Sequence, residues 1–477
     1  MYQKMLSQQA GGAAASAAAD DALHIAPPTV TPPSDGVLVF FGSTNWEQMG
    51  KKVGAEHPSA PNLLSPHRLL AGLAHVKVCF LASSSVSAHV IALGAAGEAF
   101  AWGRNDAGQL GLGDTTTRAQ PTRVSALAGK PLVAAATGKA HTLFVSAEGE
   151  VCACGANKQG CVGAAGLKNK KADFDATPLP IAGMPPVASV SCGANFCLAR
   201  DREGDVWAWG WSEYGVLGNG SDGEYNKSAS SVKLSYHPQG TPVQILKLAG
   251  QKTVQVACGA SHCVSVCEDG TCYTWGNAGF GRIGHRDQKD KWVPCALPEI
   301  KVKCAEAGMA HTLALGYPVL RNGQVCKGQP AVYMWGRVNA SRDAWMYPKP
   351  EDDLRGWNVH AFSVGHNHNV VHADNSVIAW GSPCLSGELG FGEGGGKSST
   401  RPKKVDALEG VRVAQVACGL AHSVLLVERD AKVDALPEYI PQEVSSSSAE
   451  EPPAKGKAAG KRKAAAPPAA SGKKGKK

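Results

Sequence analysis

The chain has no run of 18 consecutive apolar residues, so no transmembrane helix is expected anywhere in its 477 residues. Its opening, MYQKMLSQQAGGAAASAAADDALHIAPP, has no basic start and no continuous apolar core, as a secretory signal would. Asp20, Asp21 and the lack of Arg in that stretch argue equally against an organelle transit peptide. With no signal, the 15 cysteines are expected as reduced thiols in the cytosol or nucleus, not as a disulfide framework. Acid is missing altogether after Glu451. In its place stand nine bases: Lys455, Lys457, Lys461, Arg462, Lys463, Lys473, Lys474, Lys476 and Lys477. Taking those nine from the net charge of +8 leaves the rest of the chain at −1. The body is therefore nearly neutral, and the excess positive charge sits on one tail.

A phosphate-binding loop is also missing. LGFGEGGGKSST, residues 389–400, ends in Gly396-Lys397-Ser398, but position 391, where the GxxxxGK[ST] pattern needs Gly, holds Phe391. The adjoining Arg401-Pro402-Lys403-Lys404 makes a poor helix start. No cofactor is implied. Cys258, Cys263, Cys267 and Cys272 invite a zinc reading, yet they contain no C-x-x-C pair. They read as small core residues, since Cys258 has repeat equivalents at Cys192 and Cys418.

What is present is a repeat. Aromatic content is only 6%, but several of the 11 Trp stand directly before Gly. Seven points of this type recur, at Gly42, Gly103, Gly155, Gly210, Gly276, Gly336 and Gly381, with Phe41 and Cys154 in the Trp position at Gly42 and Gly155. Seven turns alternate with them, ending at His89, His141, Phe196, His262, His311, His368 and His422. His89, His141, Phe196 and His262 each lie 14 residues before the next such Gly; His368 lies 13 before and His311 25, the latter across an insertion. Within VQVACGASHCVSVCEDGTCYTWG, residues 254–276, apolar residues alternate as in half-buried strands, and Asp269-Gly270 fits a hairpin. With a fourth strand near the next Pro and Val, each unit is a propeller blade. The Gly-rich segment around Gly396 aligns with NDAGQLGLGD and is a blade loop.

The last unit lacks its WG strand, and the first segment, VLVFFG, has only that strand. Pairing 37–42 with the last repeat would complete a seventh blade and remove an exposed edge. The expectation is an all-β, seven-bladed propeller over 36–444. A disordered Ala/Pro-rich segment is expected over 1–35 and a disordered basic tail over 445–477.

The segments CGASHC, CGLAHS, WGRNDAGQLGLGD and FGRIGH resemble the regulator of chromosome condensation repeat. FGSTNWEQMG, SPHRLLAG, RDQKDKWVP, NASRDAWMYPK and LPEYIP look like its second, telophase-disc branch. That resemblance implies a nuclear protein found on mitotic structures. It also implies links to small GTPases, microtubules and chromosome segregation. Exchange factors of the family engage a GTPase through a loop projecting from one blade. The candidate loop here is 219–252, shorter than the branch's usual loop, with Asp222, Gly223, Glu224, Tyr225 and Tyr236 as its contact residues. The basic extension lies at the C-terminus, where the branch would place it at the N-terminus.

The repeating His residues are expected to make structural hydrogen bonds, because buried polar groups need partners. No nucleophile–base–orienter set is visible, so no bond-making enzyme is expected. The reading is a protein-binding platform for a small GTPase and the mitotic, chromatin or microtubule machinery. Its tail would serve nuclear import or nucleic-acid contact. The alternatives are a guanine nucleotide exchange factor and a nucleosome-binding propeller.

Overall fold

In the computed structural model the described residues are 33, 35–51, 61–73, 75–163, 173–226, 228, 231–232, 234–326 and 328–441. The basic tail residues and almost all of 1–35 lie outside them. Among the described residues the strands form seven four-stranded blades, two of which share one strand, plus a separate two-stranded hairpin.

Blade 1 runs outward through Val78–Ala82, His89–Gly94, Ala99–Gly103 and Arg118–Arg123, all antiparallel. Blades 2, 3 and 6 repeat this order from Leu132–Thr137, Val187–Cys192 and Val359–Val364. Blades 4 and 5 start from Thr253–Cys258 and from the end of Lys291–Ala307. That strand is 17 residues long: its first part pairs with Thr271–Gly276 and its last with His311–Pro318. Elsewhere most such links break into a short 3₁₀ turn, as at Ser125–Leu127 and Asp406–Leu408.

Blade 7 joins both ends of the chain. Gly36–Gly42 lies between His422–Glu428 and Leu63–Leu69, with Val413–Cys418 innermost. Val37, Leu38, Val39, Phe40 and Phe41 are all buried, so this strand packs on both faces. The outermost strand, Leu63–Leu69, carries none of the repeat markers. Arg68 then clasps the end of the propeller. Its amide donates to the Pro437 carbonyl at 2.8 Å, its Nε to the Leu436 carbonyl at 3.0 Å, and its own carbonyl accepts from the Tyr439 amide at 2.8 Å. Tyr439 stacks on Phe40 with ring centroids 5.9 Å apart.

The core does not fill the centre. It is divided into seven apolar clusters, most of which join two adjacent blades. Trp102, Trp209, Trp275 and Trp335 from the WG points are the largest fully buried side chains in them. Truncating one such Trp to Ala costs about 3–5 kcal/mol. The centre is a channel lined by the seven inner strands, with a cavity of about 220 Å³. Polar side chains stitch neighbouring inner strands there. Gln415 exchanges hydrogen bonds with the Leu81 backbone and Gln255 with that of Ala305.

Candidate functional site

Asn219, Ser221 and Asp222 each accept a hydrogen bond from the amide two residues on, at 3.2, 2.9 and 3.1 Å. These turns direct the chain away from blade 3. Gly223 has φ +67°, and a Cβ there would overlap the Ser212 hydroxyl. Beyond it Glu224–Asn226 pairs antiparallel with Leu234–Tyr236. Sequence spacing assigns all of 219–252 to the loop. The structure returns Pro238–Gln244 to blade 3 as its outer strand, so the projection ends near residue 237. Pro238 and Pro242 are tolerated there because the strand is a sheet edge.

The five loop residues named from sequence do not form one surface. Glu224 faces Tyr236 in register, and the Tyr236 hydroxyl donates to Glu224 Oε2 at 3.4 Å. Tyr236 also meets Trp211 edge-on at 5.7 Å. Burial and the acids Glu213, Glu224 and Asp222 hold its hydroxyl above the ordinary tyrosine range. Tyr225 points the other way and stacks on His237 at 4.0 Å. Asp222 is engaged by its own turn. Val232, near the tip, is 83% exposed.

The repeating turns lie at the same end of the blades as this hairpin. In six of the seven turns a Gly three residues before the ring is required by close approach, as at Gly419, where a Cβ would overlap the His422 ring; before His89 that position is Val86. The imidazole then reaches into the next blade. His89 bonds Thr142 at 2.8 Å, His262 bonds Thr312 at 2.9 Å, His311 bonds Asn369 at 2.9 Å and His368 bonds Ser423 at 3.1 Å. His422 bonds Ser83 at 3.1 Å across the closure, and His141 meets the Cys197 thiol at 3.3 Å. The partner hydroxyl in turn donates to a loop carbonyl, as Thr142 does to Gln109 and Thr312 to Arg282. Burial pushes His89, His368 and His422 down to about 3 and His311 to about 4, and it lowers His262 as well. They are neutral structural links. His141 is the exception. Burial again opposes its charge, but the thiols of Cys161 and Cys192 hold it above its ordinary range.

Two features of this end have no repeat signature in sequence. One is a cavity of about 520 Å³ at the mouth of the channel, edged by Met49, Met309 and Leu420 with Arg104, Lys139 and His366. Its lining comes from turn positions that vary between units, so the repeat pattern hid it. The other is Glu306 in the channel, whose carboxyl burial pushes up to about 7. Cys258, Cys263, Cys267 and Cys272 are buried, and they are not among the residues whose ligand atoms converge.

A ring of four-stranded blades, closed by its own N-terminal strand and extending one hairpin, defines a repeat propeller. Its framework presents loops and turns. The regulator of chromosome condensation (RCC1) repeat matches residues 96–145, 148–200, 203–266, 269–315 and 374–426, and the chain belongs to that family. It is 34% identical to Protein RCC2 of Homo sapiens over 430 residues, covering 85% of this chain and 80% of that protein. Identity to the Protein RCC2 homolog of Xenopus laevis is 35% over 432 residues, 85% of this chain and 81% of that one. The fold is shared with Prp20p from Saccharomyces cerevisiae, with a TM-score of 0.63 and 18% identity over 86% of this chain and 95% of that one.

Proposed function

We propose that this propeller is a non-enzymatic docking platform whose hairpin at 219–237 receives a small GTPase. The observation that carries this is the hairpin's departure from the repeat. It leaves the blade plan, exposes an apolar tip at Val232, and pairs an acid with an aromatic at Glu224 and Tyr236. Binding residues concentrate on loops held by a rigid scaffold, and aromatics are frequent anchors. Prp20p, described with its binding properties to Gsp1p and histones, shares the scaffold. Further partners in this reading are mitotic-chromosome, chromatin or microtubule components. The protein would reside in the nucleus and on mitotic structures after nuclear breakdown.

Docking is preferred to nucleotide exchange because Asp222 already accepts from the Glu224 amide and Glu224 from the Tyr236 hydroxyl. Neither acid is held ready to compete for a Mg²⁺–phosphate site. The test uses the full chain and purified small GTPases in GDP-bound, GTP-bound and nucleotide-free forms. Glu224→Ala with Tyr236→Ala should weaken binding at least about tenfold, or 1.4 kcal/mol. Blade stability should not change, and the wild-type protein should not speed GDP release. Accelerated release that the double substitution abolishes would establish exchange instead.

A further inference from the structure

The seams between blades repeat one contact, and at the seam between blades 2 and 3 a set of thiols gathers around the turn histidine. The position after the turn His or Phe holds Thr142, Thr312, Asn369 and Ser423 in blades 2, 5, 6 and 7. In blade 3 it holds Cys197. The loop position whose carbonyl receives that side chain holds Gln109, Val216, Arg282 and Glu388 elsewhere. Between blades 2 and 3 it holds Cys161. Across the strand pair from Cys197 stands Cys192, which also lies against His141. Three thiols and an imidazole from three separate parts of the chain therefore meet at this seam.

The geometry is close to a metal's. The ligand atoms of His141, Cys161 and Cys197 all lie within 4.8 Å of one another, and His141 Nε2 is 3.3 Å from Cys197 Sγ; Cys192 stands outside that converging set, beside His141 and strand-paired with Cys197. Tetrahedral zinc, with Zn–S about 2.3 Å and Zn–N about 2.0–2.1 Å, sets sulfur and nitrogen ligands about 3.6 Å apart. All four residues are buried, at 2% exposure or less. Thiolate and imidazole together form the ligand set of structural zinc. The next seam is an internal control. It keeps the thiol pair Cys258 and Cys263, but Phe196 replaces the His and Val216 the loop Cys, so only two ligands remain.

We propose that His141, Cys161, Cys192 and Cys197 hold a structural Zn²⁺ that staples blade 2 to blade 3. With Cys192 as the fourth ligand the site would be closed and structural, with no position left open for catalysis.

The test is metal analysis of full-length protein purified reduced, untagged and without chelator. One zinc per chain is expected by mass spectrometry. Exchange into Co²⁺ should give the visible d–d bands and near-ultraviolet thiolate charge transfer of a tetrahedral site. Cys161→Val and Cys197→Thr install residues that the neighbouring seams already use, so the blades should still form; Thr at 197 also keeps a hydroxyl for His141. Each variant should lose the zinc and the cobalt bands while near-ultraviolet circular dichroism stays native. Chelator should lower the melting temperature of wild type and leave the variants unmoved. Protein that takes up no zinc or cobalt on reconstitution overturns the proposal, as does zinc retained by both variants or a Cys192–Cys197 disulfide in the isolated chain. If a variant fails to fold, cobalt titration of the wild type decides alone.

Discussion

His89, His262, His311, His368 and His422 illustrate how one residue type does one job at five seams, and they make that job measurable. Their folded values lie below the roughly 6.5 of a free imidazole, so the unfolded chain takes up protons first. Stability is then complete above about pH 6.5 and falls as pH drops from there toward about 3. The loss is at most about 1.4 kcal/mol per pH unit for each histidine. Glu306 and His141 are shifted upward and act in the opposite sense, but His89, His262, His311, His368 and His422 outnumber them. Urea unfolding between about pH 6.5 and about pH 5, above most carboxylate titration, should show destabilisation on acidification. His422→Gln keeps a donor for Ser83 and cannot titrate. It should reduce that slope by about one proton, and an unchanged slope would rule out a neutral His422 in the fold.

At the scale of the element, blade 7 is assembled from two segments hundreds of residues apart and held by the Arg68 clasp. Removing residues 1–42 deletes the central strand of this blade, with Phe40 and Phe41 in it. The cost of exposing that apolar set is on the order of 10 kcal/mol, at about 1.5–3 kcal/mol per buried side chain. Removing 1–34 spares the strand. Calorimetry should therefore show a large fall in melting temperature for the first truncation and little for the second. Arg68→Ala loses the Leu436 hydrogen bond and the 3.5 Å ion pair to Asp434. A smaller loss, about 1–3 kcal/mol, is expected for it. Equal melting temperatures for the two truncations would mean that the strand does not close the ring.

At the scale of the whole molecule, charge and framework are segregated. The sequence outside the tail has net charge −1, while nine bases and no acid lie beyond Glu451. Any sequence-independent affinity for nucleic acid should therefore belong to the tail. Binding to a duplex should weaken steeply with salt, by up to about 0.9 logarithmic units per neutralised phosphate. Deleting 452–477 should lower affinity and flatten that dependence together. An unchanged salt slope after truncation would assign the binding to the propeller and favour the nucleosome reading.

The number and order of the blades were decided by the sequence alone, because the turn and WG-type markers recur at near-fixed spacing. In most units a Gly admits the ring three residues on and a Trp fills the seam, and the few replacements, Val86, Phe196, Phe41 and Cys154, leave that spacing intact. Other features were decided only by the tertiary structure. Leu63–Leu69 has no marker of its own and becomes a strand because Gly36–Gly42 offers it an edge. The hairpin at 219–237 was legible as a long link, but not the division of its residues between two faces, which depends on strand register. His141, Cys161, Cys192 and Cys197 obey no spacing rule in the chain. They meet because blades 2 and 3 pack together, and that packing is a property of the closed ring.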